Sequence, residues 1–591
     1  MLRKVLLTCG SLLFIPCLGG LISVRVTEEM TANIFPDFMR CHERHPGVVD
    51  ELWFEISNRK KPSVVAERAR LIASFRPLCD KAGIALSFQH GVTLGHGEIH
   101  DGAPKPDDIP FSDEAWQCGP DGHLLKEFLC PRSPEALAVE HAFVKTVLTT
   151  ARPRSFWIDD DLRLGICRPN GCFCPRCLEA FNRQTGSAWT RADLVSRLYG
   201  KSPMESVRSA WVDFNAESLG LFAAEVRKAA DEVGSDAMLA YQSVWSDTIH
   251  TGRDYRRILE ALSGPRHARV GIRPGAGYYR EGDPRIMVDK CLSVAREAER
   301  CRNYGGLVAT VCYEEENYPR HVLNKSPGAI VNESALALAS GCDSLSLYWY
   351  SAATPEPLSE YDRFLDTIGR ARPYFSRLSQ SVLRTRLGGV ARYLGERIAE
   401  HVDFDLRDPA DLNLACIGIP VTVVESGTKT WYLTEKSFIA MTDADWRNVS
   451  SGGVVVPASL LPQVRANVSY TNHVRTGSFE RYPFVKTRRA LLDAFDAVAE
   501  GGMPVRIDAC RPLRVLPRIL SDGRVDSVTI LNLSSGGTDV FRLRVRRPVG
   551  LAADWWLPGR EPIHLSGTAN GDELVVELPD IPGSQIGTLF F

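Results

Sequence analysis

Short apolar runs alternate with amphipathic segments along the first two thirds of the chain. Leu21–Thr27, Glu51–Ile56, Ile84–His90 and Ser155–Asp161 read as strands, as do Ala237–Val244, Ala268–Pro274, Gly306–Glu314 and Cys342–Trp349. Each is short, rich in β-formers and bounded by turn residues or charge. Between them, apolar positions recur at helical spacing over Val64–Ala82, Pro134–Thr150, Cys177–Arg183, Ser206–Val233, Val288–Arg302, Ala329–Ser340 and Ser359–Leu378. Ser133 before Pro134 supplies a cap followed by a first-turn proline. Eight strands alternating with helices predict an α/β fold, a (β/α)8 TIM barrel with large insertions.

The pattern then changes twice. Asn413–Val424, Thr430–Leu433, Lys436–Met441 and Gly453–Val456 read as short strands among helical pieces such as Ala458–Val464, which predicts a smaller α/β domain over 384–501. From 502 to 591, period-2 runs at Ser527–Leu533, Val540–Val545, Glu573–Leu578 and Ile586–Phe590 predict a C-terminal β-sandwich. The barrel is expected to occupy 21–383. Residues 1–20, with a basic start, an apolar stretch to Leu18 and Gly19–Gly20, read either as a signal peptide or as the lead-in to the first strand. That stretch is short for a membrane span, and no other segment qualifies.

Charge narrows the partners. With 70 basic and 72 acidic residues, the net charge of −2 gives no global basic field for nucleic acid. Sixteen cysteines are scattered singly except at Cys172, Cys174 and Cys177, so the chain is not a disulfide-stapled scaffold. The C-x-C-x-x-C cluster points to a metal, and a structural zinc needs a fourth thiolate. Cys130 is the preferred candidate, because the helix after it leads back to the fourth strand; Cys167 and Cys118 are alternatives.

Two acidic clusters end otherwise apolar strands. Asp159, Asp160 and Asp161 follow the fourth strand, and Glu314, Glu315 and Glu316 end the seventh. In a barrel these strand ends share the C-terminal mouth, where sites are built. Alternate residues share a face, so Asp159 groups with Asp161 and Glu314 with Glu316. Paired carboxylates of this kind suit glycoside hydrolysis, with one group protonating the leaving oxygen and the other attacking the anomeric carbon or activating water.

Cys130-Pro131-x-Ser133-Pro134, Ile158-Asp159-Asp160-Asp161 and Cys172-x-Cys174-x-x-Cys177 together resemble the corresponding segment of the family 42 glycoside hydrolases, retaining TIM-barrel β-galactosidases. The resemblance implies that Cys130, Cys172, Cys174 and Cys177 hold zinc. It also implies Asp161 at the family's acid/base position and Glu314 or Glu316 at its nucleophile position. The family motif at the fourth strand reads I-D-N-E, so Asp160 stands for Asn and Asp161 for Glu, and β-galactosidase specificity does not carry over. A glutamine-amidotransferase-like middle domain and a homotrimer are further implications.

Other strand ends offer residues to line a sugar site: Glu55, His90, Gln242 and Arg273 end the second, third, fifth and sixth strands, and Trp349 ends the eighth. Asp159 and Asp160 join them as substrate-binding candidates. Two functions follow from this sequence. One is a retaining exo-glycosidase, with Asp161 as acid/base; the other is a barrel that binds carbohydrate without hydrolysing it.

Overall fold

The computed structural model describes residues 20–96, 106–164, 171–200, 204–244, 255–275, 277–351, 356–395, 407–422, 428–439, 441–467, 473–509 and 511–591. Residues 1–19 of the proposed leader and Cys167 lie outside them. The first ten strands are β1 (Ile22–Val26), β2 (Glu51–Ile56), β3 (Ala85–His90), β4 (Trp116–Cys118), β5 (Leu124–Leu129), β6 (Ser155–Ile158), β7 (Met238–Val244), β8 (Val270–Gly275), β9 (Val308–Glu316) and β10 (Ser344–Tyr348). Eight of them close in the order β1-β10-β9-β8-β7-β6-β3-β2, every pair parallel, while β4 and β5 form a separate antiparallel hairpin. This is the expected TIM barrel, inserted between β3 and β6 with the hairpin that carries Cys130.

Local chemistry explains why the helices fall where they do. Ser133, Asp283 and Ser326 each cap a helix whose first residue is proline, at Pro134–Thr150, Pro284–Arg302 and Pro327–Ser340. In each case the cap oxygen accepts an otherwise orphaned N–H, and the proline brings the φ that the first turn needs.

Register sorts the side chains into layers. Glu51 sits low in the barrel, accepting hydrogen bonds from Ser23, Ser87, Ser155 and the Trp53 indole. Above it Trp53 stacks on Trp157, with ring centroids 4.2 Å apart. Gly271 makes room for this pair, since a Cβ there would lie 2.8 Å from the Trp157 ring. The same faces then present Arg25, Glu55, Gln89, Asp159, Gln242, Arg273 and Glu314 at the mouth. Alternation alone carries this assignment.

Beyond the barrel, four parallel strands (Ala391–Arg392, Thr430–Tyr432, Gly453–Val456 and Val474–Thr476) form a small sheet flanked by helices. Two expected strands are different here. Most of Asn413–Val424 is the end of a helix, Pro409–Ala415, and the loop after it, because Asp408 caps that helix; Val423 and Val424 lie outside the described residues. The run Lys436–Met441 begins in the helix Glu435–Phe438, where Thr434 and Ser437 form a capping box. At the C-terminus a six-stranded and a four-stranded antiparallel sheet enclose a core containing Val515, Val528, Leu543, Trp555 and Val576. That is the expected sandwich. Among the described residues, no helix is long and apolar enough to cross a membrane.

Candidate active site

The mouth of the barrel is an interlocked set of charges. Glu314 accepts from Arg25 Nη1 at 2.6 Å on Oε1 and pairs with Arg273 Nη1 on Oε2. The other terminal nitrogen of Arg273 lies 4.0 Å from Asp160 Oδ2, so one guanidinium reaches both acidic clusters. Arg163 Nη1 is also 4.0 Å from Asp160. Burial opposes the charge on Asp160, yet Arg163, His96, Arg273 and Arg25 together hold its carboxyl below the usual range.

Asp159 has a different partner. Its Oδ2 lies 2.5 Å from His96 Nε2, and its Oδ1 accepts from Gln242 at 3.3 Å. Burial pushes the Asp159 carboxyl up. Burial alone would lower His96, but Asp159, Asp161 and Asp160 raise it to about 10. The pair therefore carries a proton between Nε2 and Oδ2. The 2.5 Å approach is that of a charge-assisted hydrogen bond, and with Asp161 the pair forms a group whose possible ligand atoms all lie within 4.8 Å of one another, close enough to hold a metal ion.

Asp161 lies beside this pair, with an oxygen within 4.8 Å of the nearest ring nitrogen of His96 and carboxylate oxygen of Asp159, but is engaged by the loop after β3. It is fully buried, and its oxygens accept the N–H of Thr93 at 3.0 and 2.8 Å and that of Gly95 at 2.5 Å. β6 ends at Ile158, and the turn after it, with Arg163 N–H on Asp161 O, breaks the alternation that grouped Asp161 with Asp159. Both oxygens are engaged by backbone N–H groups of the loop after β3, so the geometry does not suit Asp161 to the acid role.

Of the lining candidates, Gln242, Arg273 and Glu55 are at the mouth. Glu55 accepts from Gln89 at 2.9 Å, and burial pushes it up to about 7. Glu316 is also raised to about 7, by burial and by Glu314, with Arg25 and Arg320 opposing. His90 and Trp349 are not at the mouth, contrary to expectation. Both have the outward parity: His90 packs between Phe143 and Phe156 and approaches Glu140, while Trp349 stacks on Phe364 at 4.8 Å. Their inward neighbours, Gln89 and Tyr348, take those places. Arg25, His96 and Tyr348 were missed; the charge in the apolar run LISVRVT was a signal for Arg25.

Lys325 braces the back of β9. Its Nζ lies 2.8 Å from Glu315 and 2.7 Å from Glu333 and donates to Glu316 O at 2.8 Å, all in the buried layer outside the barrel. Glu315 is thereby separated from its two neighbours, which face the mouth.

The thiols form a second centre. Cys130, Cys172, Cys174 and Cys177 are all buried, with their sulfurs within 4.8 Å of one another. Cys130 Sγ is 3.5 Å from Cys177 and 3.9 Å from Cys174. The edge of a tetrahedron with 2.3 Å metal–sulfur bonds is about 3.8 Å, so the cluster can hold a metal ion. Cys118, the alternative, points its sulfur at Gly119 O instead.

The barrel is a fold found in solved glycoside hydrolases. No protein-family model matches the chain, and no curated protein does either. Among solved structures, the chain is similar to the β-galactosidase of Bacillus circulans sp. alkalophilus, at 10% identity and TM-score 0.54, covering 96% of this chain and 98% of that one. A cold-adapted β-galactosidase of Rahnella sp. R3 matches at 11% identity and TM-score 0.52, over 97% and 98%. A rhamnosidase of Novosphingobium sp. PP1Y matches at 14% identity and TM-score 0.46; this chain spans 48% of that protein's length. The first two likenesses extend from end to end and are likenesses of fold.

Proposed function

We propose that this chain hydrolyses a terminal glycosidic bond with retention of anomeric configuration. The observation that supports the reading is the meeting of an ion-paired carboxylate, Glu314, with a proton-bearing pair, Asp159 and His96, at one barrel mouth. Environments that separate the roles of neighbouring acids are what such chemistry needs. Glu314 attacks the anomeric carbon as the bond to the leaving oxygen breaks, and the Asp159–His96 pair passes its proton to that oxygen. Water then gives a proton back to the pair and attacks the glycosyl ester, releasing Glu314. Arg25 and Arg273 orient the nucleophile, and the resemblance to the retaining β-galactosidases supports the terminal position. Glu316 is the second candidate for the acid, because its raised value suits a donor near neutral pH.

Zinc is the ion proposed for the four thiols. Four protein ligands close its shell, so its contribution is structural.

A panel of aryl glycosides and glycosyl fluorides tests the reading. Turnover of at least one, lost in Glu314→Gln, supports it. Binding of sugars with no turnover by the native chain defeats it.

A further inference from the structure

A column of alternating cations and rings leads from Glu314 to the rim. Arg25, which holds Glu314, lies with its guanidinium 4.1 Å from the Tyr348 ring. Arg320 lies 4.5 Å from the same ring and 5.3 Å from that of Tyr318. Tyr318 in turn packs against Tyr279 at 5.9 Å. The column is buried at Tyr348 and opens at its far end, where Tyr318 is 46% and Tyr279 44% exposed.

Tyr318 and Tyr279 are thus each nearly half exposed beside buried charges, and this rim is held in shape. Asn324 Nδ2 lies 2.8 Å from Tyr279 O, 2.5 Å from Tyr318 O and 2.9 Å from Asn317 Oδ1, all within hydrogen-bond reach, tying the segment after β8 to the segment after β9. Arg320, between Asn317 and Asn324, has φ of 59°, a left-handed conformation that disfavours a bulky side chain. Such strain persists only where the surroundings hold it. The Tyr279 hydroxyl also lies in the field of Glu316, Glu314 and Asp160, which, after burial, raise it further. The pair thus starts beside the carboxylates and ends in solvent.

Resting on the proposed hydrolase reading, we infer that Tyr318 and Tyr279 form a subsite for the leaving group, one that takes a pyranose by stacking its C–H face on the rings. The sugar at Glu314 occupies the depth of the mouth, so its neighbour across the scissile bond falls on the column's open end. Arg320 supplies donors to that second sugar's hydroxyls. The subsite therefore favours glycosides whose leaving group is itself a sugar.

The test compares a disaccharide with the glycosyl fluoride of the same terminal sugar, whose leaving group cannot stack. In Tyr318→Ala, the ratio of kcat/KM for disaccharide over fluoride should fall about tenfold, the order expected for losing one stacking surface. Tyr318→Phe keeps the face and should keep the ratio. An unchanged ratio in Tyr318→Ala, or an equal fall for both substrates, overturns the subsite while leaving hydrolysis standing. If the native chain turns over neither substrate, the hydrolase reading fails by itself. The subsite is then read from retention of oligosaccharides: retention lost in Tyr318→Ala supports it, and equal or no retention in both proteins overturns it.

Discussion

His96 Nε2 lies 2.5 Å from Asp159 Oδ2, which puts a histidine from the loop after β3 and an aspartate from the end of β6 into one hydrogen bond. Two residues further along, Asp161 spends both oxygens on backbone N–H groups of the same loop. One aspartate is hydrogen-bonded to the histidine, and the other holds the histidine's loop in place.

These roles separate in mutants. Asp159→Ala should slow glycosides with poor leaving groups far more than activated aryl glycosides, and azide should restore turnover. Asp161→Ala should instead lower stability, by about 1–3 kcal/mol for each orphaned N–H. Leaving-group dependence and thermal melts measure the two. A leaving-group effect at Asp161 with none at Asp159 would reverse the assignment.

Glu140 gives a pH dependence with a definite sign. Burial raises its carboxyl from the ordinary 4.5 to about 8, while burial lowers the neighbouring His90 to about 3. Folding therefore favours protonated Glu140. Its contribution is complete below about pH 4.5 and is lost as pH rises to about 8. Glu140→Gln is neutral throughout and can still accept from Asn58 and approach His90. The variant should flatten the fall in stability across that window, by on the order of a few kcal/mol. Denaturant melts at pH 5 and pH 8 would show it, and an unaltered slope would refute it.

Trp349 belongs to the packing behind β10. Its indole donates to Lys325 O at 3.0 Å and its ring lies nearly parallel to Phe364. Trp349→Ala should cost about 3–5 kcal/mol of stability. A variant of native stability with weakened sugar binding would return Trp349 to the mouth.

For the thiols, metal analysis of protein purified without chelator should find about one zinc per chain. Cys172→Ser should lower the melting temperature more than it alters the chemical step. Absence of metal at native stability would remove zinc from the structure.

The barrel was legible because its signals are local. Caps and prolines at Ser133-Pro134 and Ser326-Pro327 mark helix starts, and the apolar runs match the strands closely. The mouth was legible only through parity. In SLSLY, Ser344 and Ser346 mark the inward face on which Tyr348 follows, and in ALSFQH, Ser87 marks the face of Gln89. Choosing the residue at the strand end selected Trp349 and His90 from the wrong side. Parity in turn fails for Asp161, because the strand stops first. His96 stands in a glycine-flanked loop, and only the folded chain brings it to Asp159.

Gly95 joins the two centres. Leu94 O accepts the N–H of Leu129 at 2.7 Å, immediately before Cys130, and Gly95, at φ of 133°, comes so close to the hairpin that a Cβ would lie 1.8 Å from Glu127 O. The loop bearing His96 is thus laid directly on the hairpin bearing a metal ligand. If an ion held by the thiols stabilises the hairpin, this contact passes part of that stabilisation to the loop, and such coupling would be reciprocal. A sugar that orders His96 would tighten the hold on the metal by the same factor by which the metal improves the grip on the sugar.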